Sequence, residues 1–146
     1  MTTSSTPPDR VALPSSRHRT RLRMLGVAGA VLAPLIVWSI AVPVVGVDLT
    51  VRPGGGSTQT IGAGTILAVS LLASLLGWAL LAVLEHRSAR ARTRWTGGAV
   101  AVLLLSLAGP LTGATTATSK TVLVLMHLSL GAVLIPALRH SSTTHP

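Results

Sequence analysis

The chain has no cysteine, no phenylalanine and no tyrosine, and only three of its 146 residues are acidic. The missing cysteine excludes disulfides, thiol catalysis and cysteine-ligated zinc. With three tryptophans as its only aromatic side chains, the chain lacks the usual aromatic core residues. Charged residues make up 10% of it, against about 25% in a soluble domain, so an ordinary water-soluble fold is excluded. Asparagine is absent too, and arginine outnumbers lysine by eleven to one. In a chain this rich in Ala, Val, Leu and Gly, that bias suggests a GC-rich bacterial coding sequence and reports on the genome rather than the fold.

What remains is apolar. The mean hydropathy is +0.65, and four uncharged stretches dominate: Met24–Val47, Ile61–Leu84, Thr96–Leu111 and Thr121–Leu138. A hydrocarbon core about 30 Å thick takes about 20 apolar residues to cross as a helix. The first two stretches reach that length and the last two approach it. The expectation is an all-α membrane protein, a four-helix transmembrane bundle over residues 21–139. A disordered tail is expected at 1–20, and a second tail at 140–146.

Arginine placement sets the orientation. With four crossings, Arg10, Arg17, Arg19, Arg21, Arg23, Arg87, Arg90, Arg92, Arg94 and Arg139 share one side, and Arg52 and Lys120 fall on the other. Loops retained in the cytoplasm carry the Lys/Arg excess, so both termini and the middle loop are expected there, in a bacterial cytoplasmic membrane. The +9 formal charge then points to anionic lipid headgroups rather than nucleic acid, because the basic residues flank apolar spans with no aromatics between them. If the second helix continues past Glu85, then Arg87, Arg90 and Arg94 form one face for those headgroups. The first stretch also contains Ser39-Ile40-Ala41, a small-x-small cleavage pattern. It runs 24 residues, however, where the apolar part of a signal peptide runs about 7–15, and it is read as a retained span.

Pro34 and Pro43 lie in the first stretch. A kink is expected at one or both, or a helix end at Pro43. Ser70, Ser74 and Gly77 form a small-residue stripe that suits close helix contact, and Gly26/Ala30 and Gly29/Ala33 form others. Between the first two spans, Val47–Arg52 alternates apolar and polar residues, Pro53–Gly56 is a turn sequence, and Ser57–Thr60 can return as a second strand. This predicts a short extracytoplasmic β-hairpin. Val47, Leu49 and Val51 would rest on the bundle, while Asp48, Thr50 and Arg52 face away.

Chemistry-bearing residues are few. His127 is the one ionisable residue well inside a span, which makes it a candidate functional site. It could equally serve as a structural hydrogen-bond donor to Ser70, Ser74 or Ser106 on a neighbouring helix. Asp48 and Arg52 are the candidate polar pair of the outer loop. No His-x-His or His-x-x-x-His spacing makes a metal site, no Gly-x-Ser-x-Gly elbow supplies a nucleophile, and no cofactor motif occurs. Trp95, beside Arg94, reads as an interfacial anchor, and Trp38 and Trp78 as packing residues.

Three segments carry a resemblance: Ala41-Val42-Pro43 with Gly46–Arg52 and its glycine-rich turn, Ser106–Leu111, and Met126-His127-Leu128 with Leu134-Ile135-Pro136. In order and spacing they resemble an actinobacterial family of four-span membrane proteins known as a domain of unknown function (family 6069), over about residues 20–138. The resemblance implies topology and an inner-membrane location, and no activity.

The functional expectation is a non-enzymatic accessory or interaction protein of the membrane, partnered by itself or by another membrane protein. The alternative is a small oligomeric transporter or ligand-binding membrane protein with His127 lining the site.

Overall fold

In the computed structural model, which describes residues 16–87 and 90–141, the apolar stretches are helical. Helix α1 is Ser16–Ala41, α2 Ala63–Arg87, α3 Ala91–Ser106, α4 Ala108–Gly113 and α5 Ala117–Ser141. Because α3 and α4 follow one another across Leu107, four lengths are long and apolar enough to cross a membrane: Thr20–Ala41, Ala63–Arg87, Ala91–Gly113 and Ala117–Ser141. The fold is an all-α, four-span bundle with a small two-stranded sheet, and the chain is a multi-pass membrane protein. Leucine and valine occupy the outer as well as the inner faces. Leu25, Leu72, Val102 and Leu105 are all more than half exposed, as expected where the surrounding solvent is hydrocarbon.

The helices depart from the apolar stretches at identifiable residues. α1 begins at Ser16, inside the segment read as a disordered tail, and residues 1–15 lie outside the described residues. It passes through Pro34 and stops at Ala41 rather than Val47. Pro43 has no N–H to continue the ladder, and the chain turns back with Val47 N–H donating to Ala41 O at 2.9 Å and Gly46 at φ 78°. In the third span, Pro110 removes the bond that would reach Ser106 O. The helix is interrupted just before it, with Leu107 N–H shared between Leu103 O and Leu104 O at 3.3 Å each. α2 ends at Arg87 and α3 starts at Ala91, with Arg90 as a non-helical cap (φ −100°, ψ 25°). Arg87, Arg90 and Arg94 therefore do not share one helix face as the continued second helix would require.

Around the bundle the helices run α1, α2, α3, α5, with α1 against α5 the most extensive contact and α2 touching α5 little across the middle. The α1–α5 contact rests on small residues. A Cβ placed on Gly26 would lie 2.7 Å from Ala137 Cβ, and one on Gly29 would lie 3.2 Å from Val133 Cγ1. Two apolar clusters fill the inside, one around Ala30, Leu81, Trp95, Leu134 and Leu138, the other around Ala41, Leu49, Ile66, Leu123 and Met126.

The second cluster is capped by the hairpin. β1 (Thr50–Val51) pairs antiparallel with β2 (Gln59–Thr60), Thr50 opposite Thr60. A further bridge joins Val51 to Ala114, so β1 is covered on both edges. Period-two alternation decides what is buried: Leu49 is 1% exposed, Val47 and Val51 are partly buried against the cluster, and Asp48 and Arg52 are exposed.

Candidate functional site

Small side chains on three helices leave a cleft of about 550 Å³ between α2, α3 and α5, with Pro34 of α1 at its back. Ser70, Ala73 and Gly77 come from α2, Gly98 and Ala99 from α3, and Gly131 from α5. Where two helices meet through such residues the backbones close up. Here α2 and α5 touch little and Gly98 faces open space, while Gly77 and Gly131 stand against Leu134 and Leu103. The volume lies within the 300–1,000 Å³ range of small-molecule sites. Its lining is overwhelmingly apolar, with Thr65, Ser70, Ser106 and His127 as polar exceptions and no charged side chain.

Those polar side chains sit in the half of the cleft nearer the hairpin. At 1.5 Å per residue, Ser70 lies about 10 Å into α2, Ser106 about 10 Å from the end of the third span, and His127 about 15 Å into α5. His127 Nδ1 lies 2.7 Å from Leu123 O. A carbonyl can only accept, so Nδ1 carries the proton and donates to its own helix, and the other ring nitrogen of the neutral imidazole keeps a lone pair. Ser106 Oγ likewise donates to its own helix, at Leu103 O, 2.7 Å away. The bond from His127 to a serine of a neighbouring helix is thus not made: His127 and Ser106 are each anchored to their own helix.

The Ser70, Ser74, Gly77 stripe faces inward. Ser70 is 4% exposed and Ser74 0%. Ser74 Oγ is buried without a hydrogen-bond partner among the described residues, and a Cβ on Gly77 would meet Leu134 Cδ2 at 3.6 Å. Gly77 O accepts from Trp95 Nε1 at 2.9 Å. Trp95 is therefore no interfacial anchor. It is 1% exposed, lines the far part of the cleft and joins α3 to α2.

Asp48 and Arg52 stay on the outer loop and do not approach His127. Asp48 O accepts from Ser119 Oγ at 2.9 Å, and Arg52 Nη2 donates to Thr58 Oγ1 at 3.1 Å. Ser119 lies about 12 Å along α5 from His127. Among the described residues, no three His, Asp or Glu side chains come together as a metal site.

One polar cluster was not evident from the sequence. Arg23 Nη2 donates to both carboxylate oxygens of Glu85, at 2.6 and 2.9 Å, and Arg23 Nε donates to Ser141 Oγ at 3.2 Å. One guanidinium thus ties α1, α2 and α5 together at the end opposite the hairpin. Reading Arg23 as one of a row of orienting charges concealed this role.

Comparison with known proteins places the chain. The model of a family of unknown function (DUF6069) matches residues 14–144, and the chain belongs to that family. No curated protein and no solved structure matches it.

Proposed function

We propose that this member of the DUF6069 family is a non-enzymatic membrane protein that works by binding an apolar small molecule taken from the bilayer, in the cleft between α2, α3 and α5. The observation that carries this reading is the cleft itself: about 550 Å³ lined by apolar side chains, with a few hydrogen-bonding groups confined to one part of it. The reading favours a ligand-binding role with His127 at the site over a purely structural accessory subunit, which has no use for an open internal volume. His127 and Ser106 hold their own helix carbonyls, an arrangement suited to holding a ligand in place rather than to moving protons.

The same proposal orients the chain in a bacterial cytoplasmic membrane with both termini and residues 85–94 inside. Arg21, Arg23, Arg87, Arg90, Arg92, Arg94 and Arg139 all belong to one end of the bundle, and Arg52 and Lys120 to the other. That asymmetry is the one that retained cytoplasmic loops carry. Arg87, Arg90 and Arg94 would meet anionic headgroups from the ends of two helices.

The test is extraction. Protein purified in a mild detergent, washed and treated with organic solvent should release a lipid-like molecule in near-stoichiometric amount. Repeated purifications that release nothing beyond bulk phospholipid, and instead bring down a stoichiometric membrane protein, would overturn the ligand reading in favour of the accessory one.

A further inference from the structure

The cleft carries its polar side chains in the half nearer the hairpin, among Ile61, Ile66, Leu123 and Met126, is apolar toward the other end, and opens sideways. Thr65 lies about 3 Å from the hairpin end of the spans, Ser70 and Ser106 about 10 Å and His127 about 15 Å. Leu80, Trp95 and Leu134 line its far part, about 25 Å from that end. Along α2 it runs from Thr65 to Leu80, about 22 Å. Val69 and Leu76 on α2 and Val102 on α3 line it and are 60%, 61% and 64% exposed. The mouth is therefore between α2 and α3, at depths where only hydrocarbon surrounds the protein.

A single hydrocarbon chain suits a slot about 22 Å long and about 550 Å³ in volume.

The head end selects further. No Lys or Arg lines the cleft, so a carboxylate or phosphate there would be an uncompensated charge in a low-dielectric site. With Nδ1–H spent on Leu123 O, His127 Nε2 offers a lone pair and has no protein hydrogen bond among the described residues. A lone pair calls for a donor.

Resting on the binding role proposed above, we infer that the ligand is a neutral, single-chain amphiphile whose head carries a hydroxyl. The head sits at the level of His127, Ser106 and Ser70, and the tail runs toward Trp95.

Trp95 reports on this directly. Trp38→Phe/Trp78→Phe leaves Trp95 as the only tryptophan, and at 1% exposure it is shielded from bulk lipid. The protein is placed in nanodiscs and titrated with a long-chain monoacylglycerol brominated near its chain end, or near its head. The tail-brominated probe should quench Trp95 at least twofold more than the head-brominated one. A tail-brominated fatty-acid anion should require at least tenfold more probe. Gly98→Leu should abolish the quenching: Gly98 lines the cleft, and a Cβ there meets nothing within 4 Å, so the leucine fills the slot without a clash. Gly97→Leu, outside the cleft lining and equally unobstructed, should leave it unchanged.

Equal or reversed quenching by the two brominated positions, or an anion that binds as well as the alcohol, overturns the inference while extraction still supports the binding role. Absence of quenching from every probe, together with an empty extract, overturns both.

Discussion

Arg23 and Glu85 lie 62 residues apart, yet one guanidinium nitrogen donates to both oxygens of the carboxylate, at 2.6 and 2.9 Å. The side chains are 12% and 18% exposed. An exposed pair contributes under about 1 kcal/mol, and removing one partner of a fully buried pair costs about 3–5 kcal/mol. Glu85→Leu should therefore lower stability by an intermediate amount, about 1–3 kcal/mol, because Arg23 loses its counter-charge and keeps only Ser141. Arg23→Met/Glu85→Leu should be less destabilised than that single variant. Thermal unfolding in detergent checks both, and a double variant worse than the single one would show that the pair is not coupled.

Two close approaches by glycine should respond differently to an added methyl group. At Gly26 a Cβ meets Ala137 Cβ at 2.7 Å, fixed to the facing backbone. At Gly131 it meets Leu103 Cδ2 at 2.6 Å, the free end of a flexible side chain. Gly26→Ala should cost about 1–3 kcal/mol, the usual range for overpacking, and be partly rescued by Ala137→Gly. Gly131→Ala should cost less, as Leu103 rotates away. Equal losses in a melting assay would mean that α1 and α5 are not in the contact described.

His127 makes its hydrogen bond to its own helix, so the bundle does not depend on it. His127→Leu and His127→Gln should both keep stability within about 0.6 kcal/mol, the mean contribution of an interhelical bond in a membrane. Extracted ligand should fall at least severalfold in His127→Leu, and less in Gln, whose amide oxygen still accepts. A large loss of melting temperature in either variant would assign the residue to structure instead.

Orientation is open to a reporter. An enzyme active only in the cytoplasm, fused after Arg139, should be active, and one active only outside should be active in the loop at Gly55. The opposite pattern would invert the proposed topology and place the hairpin and the polar half of the cleft on the inner side.

The spans were legible because hydrocarbon is an undemanding solvent: uncharged length alone identifies the helices. The buried face of the hairpin was legible because alternation puts Leu49 on one side and Asp48 on the other. Pro43 could be placed at a helix end in advance, and the break before Pro110 could not, since the helix resumes at Ala108 and runs through the proline. The clasp at Glu85 was invisible because nothing local distinguishes Arg23 from the neighbouring arginines. The cleft was invisible for a different reason. A row of small residues describes equally a helix drawn close and a helix held away, and only the separation of α2 from α5 decides between them. That also explains Trp95, whose indole crosses to Gly77 O instead of resting at the membrane surface.

The central claim is that the space between α2, α3 and α5 is a binding site. It is tested most directly by native mass spectrometry of the wild-type chain beside Gly98→Leu and Gly97→Leu, all released from the same mild detergent. The wild type and Gly97→Leu should each carry one lipid-like adduct of the same mass, and Gly98→Leu should fly bare while retaining its melting temperature. An adduct that persists in Gly98→Leu, or one that never appears on the wild type, would contradict the account.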